Sequence, residues 1–282
     1  MSKSIRWWPA LVVLVVVGAG LYLYLTRSRE PVQPPPEPST LPDASSAGVI
    51  RHPIEDIGQD AAAEGYAGEE IPLLDASDAS VEGAAADLLG GEVVLGLVNS
   101  GDYIRKIVAT VDNLARDRTS ARLWPVQPTP GRFTVRQEDD RTYLSAENFQ
   151  RYTPFVSLAA SVDTGKLVAL YVRFYPLFQQ AYEDLGYPQQ YFNDRAIDVI
   201  DNLLATPDPG DTIELVLPPQ DPSVEVARPW VLYEYADPAL RSLSAGQKIL
   251  VRMGTGNADR VKTMLRELRK RLVAEPPPRP AA

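Results

Sequence analysis

The 282-residue sequence contains no cysteine and a single histidine. The absence of cysteine excludes disulfides, thiolate nucleophiles and cysteine-ligated zinc or iron–sulfur centres. The one histidine, His52, is followed by Pro53 in an acidic stretch, so the chain cannot assemble a Ser-His-Asp triad or a multi-histidine metal site on its own. These absences exclude most familiar hydrolase mechanisms, and we expect neither a metal ion nor another cofactor.

Basic residues are missing from one long part of the chain. The stretch from His52 to Glu92 holds eleven Asp and Glu and no Lys or Arg, which leaves 26 acidic against 28 basic residues elsewhere. The formal charge of -9 therefore belongs mainly to this stretch. A nearly neutral remainder predicts no strong attraction to nucleic acid.

The long uninterrupted hydrophobic run lies at the N-terminus, from Trp7 to Leu25, behind a short head of residues 1–6. At about 1.5 Å per residue, its nineteen residues nearly span a hydrocarbon core of roughly 30 Å. A cleaved signal peptide is the alternative, but the run ends in Tyr24 and Leu25 without a small-x-small cleavage site. The pattern favours an uncleaved, single-pass transmembrane helix.

Charge does not orient this helix, because Lys3 and Arg6 on one side are matched by Arg27 and Arg29 on the other. The composition of residues 26–77, rich in Pro and then in Ala, Gly and acids, predicts a disordered linker. Such a spacer suits a domain held off the outer face of a bacterial inner membrane. We therefore predict a periplasmic domain over residues 78–274 and a disordered tail over 275–282.

Hydrophobic periodicity predicts that helices dominate this domain. The predicted helices lie near Asp78–Leu89, Asp102–Arg118, Ser145–Ala159, Asp163–Leu185, Asn193–Leu204 and Asn257–Val273, with Asn193 and Asn257 as N-caps.

Short alternating or β-rich runs predict a small antiparallel sheet. A hairpin is predicted from Phe133–Val135 and Thr142–Leu144 around the polar turn at 138–141, followed by strands at Thr212–Leu217, Trp230–Tyr235 and Lys248–Met253. The predicted fold class is a single α+β domain dominated by helices, preceded by one transmembrane helix.

Several segments together resemble one protein family. They are YIRKIVATVDNLAR at Tyr103–Arg116, NFQRYTPF at Asn148–Phe155, YVRFYPLFQQAYEDLGYP at Tyr171–Pro188, IDNLLATP at Ile200–Pro207 and YADPALRSLSAGQKILVRMGTGNADRVKTMLRELR at Tyr235–Arg269. The set resembles the bacterial family of membrane-anchored proteins called domain of unknown function 3014, over roughly Leu88 to Leu272. The resemblance implies a bacterial envelope protein and supplies no catalytic residues.

Two places are candidate binding sites. Arg173 lies in an aromatic helix with Tyr175 and Tyr182, where a guanidinium over rings can bind an anion or a sugar, or serve a structural cation–π contact. The region from Arg241 to Arg271 has nine basic residues against two acidic ones, and Arg266, Arg269 and Lys270 are its candidate binding residues. It suits anionic lipid heads, an anionic wall polymer or the chain's own acidic linker, and a solvated helix face is the plainer interpretation.

The sequence Gly254-Thr-Gly-Asn-Ala-Asp259 lies where a dinucleotide-binding turn would, between a predicted strand and a helix. Asp259 occupies the third glycine position, and its charge would repel a pyrophosphate at the helix N-terminus. We interpret the segment as a tight turn with Asn257 as N-cap.

The acidic candidates for catalysis are Glu183, Asp184, Asp198 and Asp201. Our first hypothesis is a non-catalytic binding or scaffolding module of the envelope that engages a protein or an anionic wall polymer. The alternative is a carboxylate-dependent hydrolase of envelope glycan or peptide, which needs two of these acids to converge. A third interpretation is a subunit of a larger membrane complex, with an exposed apolar patch around Pro176.

Overall fold

The computed structural model describes residues 49–57, 70–91, 101–117, 125, 129, 131–218 and 232–273. The predicted transmembrane helix at 7–25, the tail at 275–282 and much of the predicted linker lie outside these residues. The α-helices that the described part contains are α1 Asp78–Leu89, α2 Tyr103–Leu114, α3 Ala146–Ala159, α4 Thr164–Asp184, α5 Phe192–Leu204, α6 Pro238–Arg241, α7 Ala245–Arg252 and α8 Thr255–Leu272.

Four short antiparallel strands form one sheet in the order β1-β2-β3-β4: β1 Val135–Glu138, β2 Arg141–Leu144, β3 Glu214–Val216 and β4 Glu234–Tyr235. Asp139 and Asp140 form the β1–β2 turn with φ of 47° and 62°, the left-handed geometry that matches the twist of a two-residue hairpin. Strand β3 joins β2 through Thr142 opposite Leu215. The predicted helix-dominated domain with a small antiparallel sheet is thus confirmed.

Local chemistry explains where the central helices begin and end. Asp163 caps α4 by accepting a hydrogen bond from the Lys166 amide, 3.0 Å away, and Gly186 follows the helix with φ of +113°. The first N–H groups of α2 are satisfied from another helix, since the Asp78 carboxylate accepts from the amides of Asp102 and Tyr103. Helix α1 is thereby fixed to the start of α2.

The core has three parts. Helices α2, α4 and α5 enclose an aromatic-rich cluster, helices α3, α5, α7 and α8 enclose a second one, and the sheet packs its buried face against α6 and α7. Among the described residues, no single helix is long and apolar enough to cross a membrane. Helices α3 and α4, bent by 78° relative to each other, meet that measure only as a pair.

The strand predicted at Lys248–Met253 is wrong, because residues 245–252 form α7. Ser244 and Gln247 form a capping box that starts this helix, the side chain of each bonding to the main-chain N–H of the other. Its apolar residues then face the second and third core clusters.

The two predicted asparagine caps are also wrong. Helix α5 begins at Phe192 after Tyr191, so Asn193 lies inside its first turn and is buried. Helix α8 begins at Thr255, after Gly254 with φ of +77°. Asn257 is inside that helix, where its amide donates to the carbonyl oxygens of Phe149 and Met253 and joins α8 to α3.

Part of the predicted linker packs against the domain. Residues 70–77 include a short 3-10 turn at Leu74–Ala76, with Leu74 buried and Asp75 paired to Arg105 of α2 at 2.8 Å. Residues 49–57 end in a second 3-10 turn, at Ile54–Asp56. Composition averaged over the linker predicts disorder, but these two apolar-containing segments bury side chains in the core.

Candidate functional site

The candidate site is a groove beside α4 and α5 that holds residues 49–57, here called the strap. The groove is formed by Tyr171 and Tyr175 of α4, by Tyr191, and by Asn193, Asp194 and Asp198 of α5. The groove lies at the first turn of α5, where the consecutive polar residues Asn193 and Asp194 are buried.

Side chains of the groove bind the main chain of the strap. The Asp194 carboxylate accepts hydrogen bonds from the amides of Arg51 and His52, at 3.0 and 2.9 Å. The Ile54 amide donates to the Tyr191 hydroxyl at 2.8 Å. Residue 53 is proline and has no N–H to satisfy. Its backbone is extended, with φ of -61° and ψ of 136°, between a bend at residues 51–52 and the 3-10 turn at Ile54–Asp56.

A second interaction fixes the cationic side chain of the strap. The Arg51 guanidinium donates to Asp198 at 2.8 Å and lies 3.9 Å from Asp194. The Arg51 and Asp198 side chains are 51% and 47% exposed, so solvent screens this pair and its contribution is small, up to about 1 kcal/mol. The buried Asp194 carboxylate, by contrast, depends on the strap amides for its hydrogen bonds.

Two strap side chains enter the core. Ile54 and Ile57 are buried in the same cluster as the aromatic residues of α4 and α5. Burial raises the pKa of Tyr171 and of Tyr175, and it also raises the pKa of Tyr191. These phenols therefore stay neutral at physiological pH and contribute hydrogen bonds rather than charge.

Asn193 connects the strap to α4 and to the C-terminal end of α8. Its side-chain amide donates to the His52 carbonyl at 2.9 Å and to the Leu272 carbonyl at 3.3 Å, and its side-chain oxygen accepts from the Tyr171 hydroxyl. Because one amide nitrogen reaches both carbonyls, the strap enters the domain beside the C-terminal end of α8.

The structure separates the three residues predicted on the aromatic helix. Tyr175 lines the groove, and its hydroxyl accepts a hydrogen bond from the main-chain N–H of Asn193. Tyr182 stacks on Tyr187 at a centroid distance of 4.6 Å. Arg173 holds its guanidinium 5.0 Å from the Phe174 ring, a cation–π contact within α4.

The three predicted basic residues of α8 also differ from one another. Arg269 forms a bidentate ion pair with Asp201 of α5, with N–O distances of 2.5 and 2.9 Å, whereas Arg266 and Lys270 are exposed. Lys262 is buried and donates to the Thr206 carbonyl. Arg269 and Lys262 therefore bind other parts of the domain. The sequence suggests that acidic linker residues could bind basic residues of the domain. In the strap the signs are opposite, because the basic residue Arg51 binds the carboxylates of Asp194 and Asp198.

The four predicted carboxylates each bind a different group. Asp184 pairs with Arg105, Asp198 with Arg51 and Asp201 with Arg269, while Glu183 accepts from Gln179. All four are exposed. Within the described ranges, no group of three or more acidic, His or Cys side chains could hold a metal ion.

Most of the apolar side chains of α4 around Pro176 are buried, which leaves little surface for the third interpretation, a subunit docked through this helix. The buried set is Val168, Ala169, Leu170, Phe174, Tyr175, Leu177, Phe178, Ala181 and Tyr182.

The sequence does carry a signal for the strap that averaging concealed. Val49, Ile50, Ile54 and Ile57 place four β-branched apolar residues within nine positions of the predicted linker. Such density is unusual for a disordered segment. Ile54 and Ile57 are the two that pack in the core, whereas Val49 and Ile50 are exposed.

The fold and site define a helix-dominated α+β domain with a groove that holds the strap. Residues 103–269, more than half of the chain, match the sequence model of the family described as protein of unknown function DUF3014, and the chain belongs to this family. Neither the curated proteins nor the solved structures contain a match to it.

Proposed function

We propose that this protein is a single-pass envelope protein, anchored in the bacterial inner membrane by residues 7–25, whose periplasmic domain is a non-catalytic binding or scaffolding module. The observation that carries the proposal is the groove, where Asn193, Asp194 and Tyr191 bind the main chain of the strap. A surface that pairs main-chain groups one by one is built to bind a chain segment.

The alternative function, a carboxylate-dependent hydrolase, has less support. Two carboxyl groups would have to converge with about 5–10 Å between them. Glu183, Asp184, Asp198 and Asp201 instead are exposed, and each binds a partner of its own.

The anchor and its orientation have a direct test. Alkaline phosphatase, which folds only outside the cytoplasm, and green fluorescent protein, which fluoresces only inside, are each fused after Ala282 of the full-length chain. We expect an active phosphatase fusion, a dark fluorescent fusion and retention of both in the membrane fraction. A fluorescent fusion would place the domain in the cytoplasm, and a fusion released without detergent would contradict the anchor.

The binding role is tested by site-specific photo-crosslinking in living cells. A photoreactive residue replaces Gln189, which is exposed two positions before Tyr191, and a matched control replaces Ala239, which is exposed on α6 beside the sheet. We expect a discrete adduct from position 189 that is absent from position 239 and is lost when the groove carries Asp194→Asn. Identical patterns from both positions would contradict a binding module that uses this groove.

A further inference from the structure

One end of the domain holds both the start of the strap and the last turns of α8. The Asn193 side-chain amide donates to the carbonyls of His52 and Leu272, so the two segments lie side by side. The chain that leads from the predicted anchor at residues 7–25 joins the domain here. Residues 26–48 separate the anchor from the strap, and these 23 residues span at most about 80 Å. This end of the domain, here called the tethered end, consists of residues 49–52 and 266–272.

Two apolar side chains at the tethered end are exposed. Val49 is 85% exposed and Ile50 is 50% exposed, whereas Ile54 and Ile57 of the same strap are buried. Single exposed apolar residues are common on proteins, but these two are consecutive and begin the strap. Apolar side chains beside basic ones are typical of protein surfaces that bind the headgroup layer of a bilayer.

Basic side chains at the same end remain available to a ligand. Arg266 and Lys270 lie one turn apart on α8 and are exposed, and within the described ranges neither forms an ion pair. Three exposed acids near them each have a basic partner, in the pairs Asp198–Arg51, Asp201–Arg269 and Glu267–Arg271. These pairs leave the charges of Arg266 and Lys270 uncompensated, and such charges attract an anionic surface.

We propose that the tethered end docks on the anionic lipid surface of the membrane that holds the anchor. Arg266 and Lys270 contact the headgroups, and Val49 and Ile50 enter the layer beneath them. This proposal rests on the proposed anchor at residues 7–25. A basic side chain near an anionic bilayer strengthens binding about fivefold, and two together on the order of twentyfold. Because the domain is tethered to the same membrane, contacts of this strength suffice to hold it there.

The strap sets the direction in which the domain docks. Its main chain is bonded to Asp194 through the amides of Arg51 and His52, so the two exposed apolar residues before them keep a defined place beside the end of α8. The apolar and basic parts of the surface therefore reach the bilayer together.

Docking is measured on the full-length protein in nanodiscs, as quenching of a fluorophore by a nitroxide on the lipid headgroup. Because the chain has no cysteine, Val49→Cys gives a unique labelling site, and an apolar nitrobenzoxadiazole group takes the place of the apolar side chain. Ala239→Cys, exposed on α6 beside the sheet, is the control site. The discs consist of phosphatidylcholine alone or with phosphatidylglycerol added.

We expect the label at position 49 to be quenched strongly in anionic discs and weakly in neutral ones, and the label at position 239 to be quenched weakly in both. Arg266→Gln combined with Lys270→Gln should lower the ratio of docked to undocked domain on the order of twentyfold. High salt should lower the ratio as well, because it screens exposed charges.

The matched control is Arg136→Gln combined with Arg241→Gln, which removes the same charge from exposed positions on β1 and α6. It should change the ratio less than about twofold, since these positions lie on other elements. Ile50→Thr keeps the β-branched shape but removes apolar surface, and it should lower the ratio about threefold. A soluble anionic polymer offers no apolar layer, so this last change separates a bilayer from a polymer.

Quenching that does not depend on phosphatidylglycerol, or equal losses in the α8 variant and its matched control, overturns the proposal. An Ile50→Thr protein that docks as well as the wild type would contradict a bilayer as the partner. A protein that enters the discs but shows no docking overturns the docking surface and leaves the anchor standing. A protein that does not enter them contradicts the anchor and the docking surface together, whereas the position-189 adduct tests the binding module independently of both.

Discussion

The Asp194 carboxylate lies 2.9 Å from the main-chain nitrogen of His52, a residue 142 positions earlier in the chain. A side chain buried at the start of a helix thus fixes a segment that composition assigns to a flexible linker. The contact is stronger than an exposed ion pair because the carboxylate is buried and accepts two amides.

Replacement of this carboxylate should release the strap. In Asp194→Asn the side chain keeps its size but loses one acceptor and the negative charge. A hydrogen bond to a charged group contributes about 1.5–3 kcal/mol, so amide exchange at Arg51 and His52 should accelerate at least tenfold in hydrogen-exchange mass spectrometry.

The matched control for that variant is Asp198→Asn, which removes only the exposed pair with Arg51. An exposed pair contributes about 0.2–1 kcal/mol, so exchange in the strap should change less than about fivefold. Equal acceleration in both variants would mean that the ion pair, rather than the main-chain contacts, holds the strap.

A buried ion pair joins α2 to α5. The Asp112 side chain is 3% exposed and binds Arg195 at 2.9 Å and Arg116 at 2.6 Å. Asp112→Asn leaves two cations facing a neutral amide, and we expect a loss of about 3 kcal/mol. This value is at the lower end of the free-energy cost of breaking a buried ion pair, because both arginines are partly exposed to solvent. Urea denaturation measures the change, with Asp201→Asn as the exposed control that should lose no more than about 1 kcal/mol. Equal losses would show that burial does not decide the contribution.

Particular residues explain how much of the fold could be predicted. The helix capped by Asp163 lies where the sequence places it, and the hairpin turn at Asp139 and Asp140 falls inside the predicted turn. The first strand of the hairpin is Val135–Glu138, however, and shares only Val135 with the predicted strand Phe133–Val135. The apolar run at Lys248–Met253 fits a strand or a helix equally well over so few residues. The capping box of Ser244 and Gln247 settles the choice and was present in the sequence.

The groove could not be predicted because its contacts join distant parts of the chain. Asp194 and Asn193 read as surface residues near a helix start, and only packing against the strap makes them buried hydrogen-bonding groups. The sequence marks Asp198 and Asp201 as possible catalytic acids, but local sequence does not reveal that Arg51 and Arg269 bind them. Tertiary contacts of this kind leave no periodic pattern.

Two helical glycines should respond in opposite ways to substitution by alanine. A Cβ at Gly246 of α7 would lie 2.5 Å from Leu203 Cδ2 and 3.1 Å from the Leu114 carbonyl oxygen, so Gly246→Ala should destabilise the fold by about 1–3 kcal/mol. A Cβ at Gly256 of α8 would meet no atom within 4 Å, and Gly256→Ala should raise stability by up to about 1 kcal/mol through helix propensity. Urea denaturation of the two variants measures both changes. A tolerated Gly246→Ala would contradict the close packing of α7 against α2 and α5.

Alkaline pH should unfold the domain through its buried tyrosines. Burial raises the pKa of Tyr235 from 10.0 to about 12, and it also raises the pKa of Tyr171 and of Tyr182. A raised folded-state pKa contributes stability that is complete below the unfolded value of 10.0 and is lost as pH rises toward the folded value. For Tyr235, the stability lost between pH 10 and 12 is on the order of 3 kcal/mol. We expect phenolate absorbance to rise in two steps, with the second step coinciding with loss of helical circular dichroism.

Tyr235→Phe, which removes the hydrogen bond to the Lys248 carbonyl and the titrating group, should flatten the stability profile between pH 10 and 12. A single rise in absorbance near pH 10 that accounts for all 13 tyrosines, with native circular dichroism retained, would contradict the burial of Tyr171, Tyr182 and Tyr235.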